Sequence, residues 1–194
     1  MGPDVTGPPD IVVDFSAAWS QVGPDDDHAE WAAAAARRNW ALAGVEPSTL
    51  DTEILAAEYT VLAKAAFAVP AFGAFVYCPE PSEGVRACVR LVGLRYPPGT
   101  EDATLVELFT LPAEQQLLPP QVEQSTDAGL RRIRIRQRAW SPDTGLVSDH
   151  IAYVFPCAEG AWALTTALPD PREAEVLLAD LDDLAAGLQL QSAL

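Results

Sequence analysis

Positive charge is scarce in this 194-residue sequence. Twelve Lys and Arg, of which only Lys64 is a lysine, stand against 28 Asp and Glu, for a formal net charge of −16. A field of that sign repels phosphates and anionic headgroups, which argues against a free nucleic-acid binder and against adsorption to an anionic membrane. Long apolar runs are missing as well. The longest uncharged stretch, residues 65–79, is too short to span a bilayer and is interrupted by Pro70 and Gly73. The opening Met1-Gly2-Pro3-Asp4-Val5-Thr6 carries no basic segment followed by an apolar one, so the expected location is the cytoplasm. The three cysteines, Cys78, Cys88 and Cys157, cannot all pair within one chain, and none lies in a C-x-x-C arrangement, so they read as reduced thiols rather than zinc ligands. No phosphate-binding glycine loop, G-x-S-x-G elbow, H-E-x-x-H or dinucleotide fingerprint occurs, and with them go the common signatures of enzymes. No cofactor and no metal is expected.

What is present is enough for one core. Hydrophobic residues make up 49% of the chain, far from a disordered composition. Residues 1–9, rich in Gly and Pro, read as a flexible tail, and 10–194 as a single domain. A strand begins at Ile11 and runs towards Trp19. The carboxylates of 25–27 precede an alanine-rich helix from His28 to about Ala43, where they complement its dipole, with Trp31, Ala35 and Leu42 as its buried stripe. Ser48 and Asp51 stand in capping-box spacing before a second helix carrying Leu55, Tyr59, Leu62, Ala66 and Val69. Strands follow over 74–78 and 85–96, then a short helix over 104–111 and a loop around 115–121. Three more strands, 130–140, 147–155 and 161–168, are joined by short connections and must therefore run antiparallel. Asp170-Pro171 starts a last helix whose stripe is Leu177, Leu181, Leu184 and Leu188, with Asp180, Asp182 and Asp183 turned to water. The order predicts an α+β fold: an antiparallel sheet of five to six strands with helices packed on it.

The C-terminal part carries a resemblance. Asp127-Ala128-Gly129-Leu130-Arg131-Arg132-Ile133-Arg134 leads from a glycine turn into an arginine-bearing strand. His150-Ile151-Ala152-Tyr153-Val154-Phe155-Pro156 ends in proline, Trp162-Ala163-Leu164-Thr165-Thr166 follows, and Leu181-Asp182-Asp183-Leu184-Ala185-Ala186-Gly187-Leu188 closes the chain. Over residues 120–190 this resembles the small actinobacterial α+β proteins of the PsbP-like and LpqN-like type. The resemblance implies a PsbP-like fold and an adaptor-like role, and no catalytic residue. The abundance of Ala, Pro, Leu and Arg fits the same GC-rich origin.

Five of the twelve basic residues fall within 131–138, an interval without a single acid, so that segment carries +5 and the rest of the chain −21. In a strand Arg132, Arg134, Arg136 and Arg138 share one face while Ile133 and Ile135 point into the core, giving a row roughly 20 Å long. Arg86 and Arg90 share a face of their own strand and would widen the row if the strands were neighbours. Three readings follow. Cross-strand acids such as Glu123 or Asp149 could satisfy the guanidinium groups. The row could instead dock a protein partner with an acidic surface or segment, such as a component of a secretion or assembly system, or another polyanion, or it could hold a small-molecule anion. The leading expectation is accordingly a non-enzymatic cytoplasmic adaptor. The alternative is a small-ligand-binding protein with a groove lined by Trp31, Trp40, Trp140 and Trp162, residues that otherwise serve as packing anchors. Ser148-Asp149-His150 has the letters of a nucleophilic triad, but neighbouring strand residues face opposite ways, so Asp149 cannot orient that imidazole.

Overall fold

The computed structural model describes residues 11–97, 99–127, 129–141, 145–157 and 160–190. The tail expected over residues 1–9 lies outside them. The elements in chain order are β1 (Ile11–Val13), β2 (Trp19–Val22), α1 (His28–Ala43), α2 (Thr49–Ala66), β3 (Gly73–Tyr77), β4 (Ala87–Arg95), α3 (Asp102–Leu108), β5 (Gln121–Asp127), β6 (Leu130–Trp140), β7 (Val147–Cys157), β8 (Gly160–Leu168), α4 (Pro171–Ala186) and β9 (Leu188–Leu190). Seven strands form one antiparallel sheet in the order β2-β3-β4-β8-β7-β6-β5, and β1 pairs with β9 beside it. The α+β architecture is therefore as the sequence implies, with one strand more than the expected five to six. The strand expected from Ile11 towards Trp19 is two, β1 and β2, in different sheets, and two strands are not among those expected: β9 and β5, the latter exposed along its whole length at the sheet edge. Its Gln-Val-Glu-Gln-Ser-Thr-Asp sequence has no buried face and hence no apolar alternation to reveal it.

Local chemistry explains the helix ends. Asp27 accepts hydrogen bonds from the amides of Ala29 and Glu30, and Gly44 closes α1 at φ +68°. Ser48 and Asp51 form the expected reciprocal capping box of α2. The buried stripe of α1 is Ala32, Ala35, Ala36, Asn39 and Trp40, while Leu42 is 59% exposed. Small alanines with Trp40 form the inner face of α1, so Leu42, though apolar, is left outside it. In α4, Leu177, Leu181 and Leu184 are buried, but Leu188 belongs to β9. Between them Gly187 sits against the chain at Asp14, whose amide donates to the Gly187 carbonyl at 2.8 Å. A Cβ there would fall 1.8 Å from the Asp14 carbonyl oxygen, so no other residue fits.

Helices cover both faces of the sheet. α4 packs on one face against Phe75, Tyr77, Val89, Leu91, Ile151, Tyr153, Phe155, Trp162 and Leu164. On the other, α1 and α2 lie over Val76 and Cys88, and α3 lies over Ile133, Ile135, Ala152, Val154 and Ala163. The second face thus has two separate cores, one towards each end of the strand order, and the strip of sheet between them carries the cleft described below.

Candidate binding site

Along β6 the predicted alternation holds. Ile133 and Ile135 are fully buried beneath α3, and Arg132, Arg134, Arg136 and Arg138 line up on the α4 face. Carboxylates of the same chain meet each guanidinium on that face. Arg132 pairs with Asp127 at 3.2 Å and lies 5.8 Å from the centre of the Tyr153 ring. Arg134 reaches Glu123 of β5 and Asp182 of α4, both at 2.6 Å. Arg136 Nε donates to Asp149 at 2.9 Å and Nη2 to Glu175 of α4 at 2.8 Å, while Arg138 Nε donates to the other Asp149 oxygen at 2.7 Å. The expectation that the acids of α4 face water is corrected for Asp182, since α4 lies close enough to the row to turn that side chain onto it.

Asp149 is the centre of this seam. Its side chain is 1% exposed. Burial alone would raise its pKa, but the hydrogen bonds from Arg138 and Arg136 outweigh that and hold the carboxyl below its usual range. Outside the buried part, Glu175 is likewise held low by Arg136.

Arg86 and Arg90 do not extend the row, because β8 and β7 separate β4 from β6. Arg86, just ahead of β4, is engaged by Glu83 at 3.2 Å and by Glu173 of α4 at 3.1 Å. The tryptophans do not share a groove either. Trp162 is buried on the α4 face, edge-on to Phe72 at 4.9 Å. Trp31 and Trp40 belong to α1 across the sheet, where Trp31 Nε1 donates to the Gln21 carbonyl at 2.7 Å. Trp140, 38% exposed, ends β6 and donates to the Glu114 carbonyl at 3.1 Å. Periodicity assigns faces within one element, and these four residues come from three elements packed on different sides.

Arg90 is placed quite differently from the row. It lies on the second face, where the register sets it opposite Thr165 of β8, Thr165 opposite Ala152 of β7, and Ala167 opposite His150. These residues floor a cleft of about 270 Å³ whose wall is Leu108, Phe109, Thr110 and Leu111 at the exit of α3. Gln137 of β6 fixes that wall. Its Nε2 donates to the Phe109 carbonyl and its Oε1 accepts from the Leu111 amide, both at 2.7 Å. The side chain thereby satisfies two backbone groups of a loop that has no strand to pair with.

Several polar groups in the cleft are unused. Six arginines of the chain are half-buried, and five of them hold carboxylates; Arg90 has neither an ion pair nor a hydrogen bond among the described residues. The Thr165 hydroxyl oxygen is buried and without a partner among them. His150 Nε2 lies 3.0 Å from Ser148 Oγ on the same face of the strand. Burial lowers the His150 pKa, outweighing an opposing pull from Asp149, and the positive charge of Arg90 adds a smaller lowering. As the strand alternation requires, Asp149 faces the other way, so no triad is assembled. Burial pushes the neighbouring Cys88 thiol up to about 11, with Arg90 opposing. Cys78, Cys88 and Cys157 are all free. Among the described residues no three His, Cys, Asp or Glu are grouped to hold a metal ion, and no helix is long and apolar enough to cross a membrane. His28 stacks on Phe67 at 5.3 Å, and Asp27 beside it is occupied in capping α1.

No protein-family model and no curated protein matches the sequence. Among solved structures, LpqN of Mycobacterium tuberculosis, described as involved in cell envelope biogenesis, is similar at 13% identity and a TM-score of 0.49, over 96% of this chain and 86% of that one. The cyanobacterial PsbP (CyanoP) of Synechocystis is similar at 9% identity and a TM-score of 0.48, over 98% of both chains. A protein of Bacteroides thetaiotaomicron is similar at 5% identity and a TM-score of 0.45, and this chain spans only 45% of its length. Likenesses of this degree bring no activity or partner with them.

Proposed function

We propose that the protein is a small-ligand-binding protein whose site is the cleft between the α3 exit loop and the floor built by β4, β8, β7 and β6. The observation that carries this reading is the pairing of a pinned wall with unused polar groups: Gln137 holds residues 109–111 over the sheet, while Arg90 and the Thr165 hydroxyl beneath have no partner among the described residues. A buried polar group ordinarily finds a partner, and in this cleft the buried Thr165 hydroxyl has none among the described residues. A few convergent polar groups in an otherwise apolar recess are what a small-ligand site needs. At about 270 Å³ the cleft falls just below the roughly 300 Å³ at which pockets for drug-sized ligands begin, so its occupant is small.

An adaptor that docks an acidic segment on the arginine row is supported less well. The partner would have to displace Asp127, Glu123, Asp149, Asp182 and Glu175 from pairs they already make. Three free thiols and the GC-rich composition support a home in an actinobacterial cytoplasm. The test is a thermal-shift panel of small organic acids, their amides and simple sugars on the wild type and on Ala167→Phe. Ala167 is an exposed floor residue, so a ring there fills the cleft without entering the core. At least one compound should raise the melting temperature of the wild type and not that of the variant. No shift with any compound, or equal shifts in both proteins, contradicts the reading.

A further inference from the structure

We propose that the group received by this cleft is the single carboxylate of a small organic acid, held by Arg90 with the Thr165 hydroxyl and the His150 imidazole at its sides. This rests on the reading of the cleft as a ligand site and specifies its chemistry. Among the described residues no acid reaches Arg90, although carboxylates hold every other half-buried arginine. Arg90 is itself half-buried, and a planar carboxylate matches its guanidinium's fork of donors. Thr165 supplies one further donor from the next strand. When Ser148 donates to His150 Nε2, the imidazole proton resides on Nδ1, the other ring nitrogen.

Charge matching selects a monoanion. Among the described residues that line the cleft, Arg90 is the one permanent charge: Thr165 and Ala167 of β8, Gln137 of β6 and the 108–111 wall are uncharged, and Asp149 beside His150 is turned to the opposite face. Burial holds the His150 pKa below its ordinary value, so the imidazole resists becoming a second positive charge there. A phosphate dianion would bring two negative charges to one positive charge inside a protein of net charge −16. The remainder of the lining, Leu108, Phe109, Leu111, Ala152 and Ala167, is apolar and suits a short hydrocarbon body rather than a sugar.

The experiment is calorimetric titration of the full chain with butyrate, butyramide and inorganic phosphate, on the wild type, Arg90→Met, Arg90→Lys and Thr165→Val. Butyrate should bind, butyramide and phosphate much more weakly. Arg90→Met should weaken butyrate roughly tenfold to a hundredfold, as loss of a charged hydrogen-bonded contact does. Arg90→Lys, which keeps the charge and loses the fork, should recover part of that, and Thr165→Val should cost less than Arg90→Met. If Arg90→Met does not fold, the Lys and Val variants carry the comparison. Butyramide binding as tightly as butyrate, unchanged binding in the arginine variants, or tighter binding of phosphate overturns the carboxylate assignment while leaving the cleft as a binding site. Failure of all three probes on the wild type overturns the assignment outright, and the Ala167→Phe comparison then decides separately whether the cleft binds anything.

Discussion

Asp149 and His150 are adjacent in sequence and opposite in role. Asp149 is the buried acid shared by Arg136 and Arg138, and its carboxyl is stabilised in the charged form. Asp149→Asn leaves two guanidinium groups without their common counter-charge. Both arginines retain access to solvent, so the cost is expected to be about 2 kcal/mol rather than the larger loss of a fully enclosed pair, measured as a lower urea midpoint. The native pKa lies below the unfolded one, so the contribution of Asp149 is fully present above its ordinary value of 3.8 and disappears as the pH falls through the native value. The acid limb of the stability curve should therefore be shallower in Asp149→Asn. His150 has the opposite sign. Its native pKa is depressed below 6.5, so the unfolded chain takes up the proton first and stability declines as pH falls from about neutral towards 5. His150→Gln should remove that part of the slope, with little change above pH 7.

At the scale of elements, β6 is the seam of the molecule: its isoleucines anchor α3, its arginines anchor β5 and α4, and Gln137 anchors the loop after α3. Replacing Gln137 by Leu removes two hydrogen bonds and strands the Phe109 carbonyl and the Leu111 amide. The expected loss is about 1–3 kcal/mol, with amide exchange at Leu111 accelerated more than at Ile133 or Ile135. Alternation of arginine with isoleucine was legible in the sequence because the period of a strand is two. The acids that neutralise the row were only half legible. Glu123 and Asp149 were candidates as cross-strand partners, whereas Asp182 and Glu175 come from a helix forty to fifty residues away, and only the angle at which α4 crosses the sheet brings them close. The cleft was not legible at all. Arg90, Thr165 and His150 are ordinary strand residues until the register of β4, β8 and β7 sets them on one strip of one face, and the tryptophans failed as a guide for the same reason.

For the whole molecule, the net charge of −16 is a fair description of the exterior. The five arginines of 131–138 meet six carboxylates, Asp102, Asp127, Glu123, Asp149, Asp182 and Glu175, so the one basic segment is consumed in holding the fold together. Of the half-buried arginines, Arg90 alone has no carboxylate among the described residues, and it stands beside Thr165 and His150. An anion that reaches that position must favour the protonated form of His150, and by linkage its binding raises the imidazole pKa. The chain has only two histidines, and His28 lies on Phe67 away from the cleft, so it serves as an internal control. The decisive measurement is the pH titration of both imidazoles by nuclear magnetic resonance, without and with saturating butyrate. The cleft as described requires His150 to start below 6.5 and to rise when butyrate is present while His28 stays where it was. A His150 titration that is unmoved by butyrate, or that moves together with His28, would contradict it.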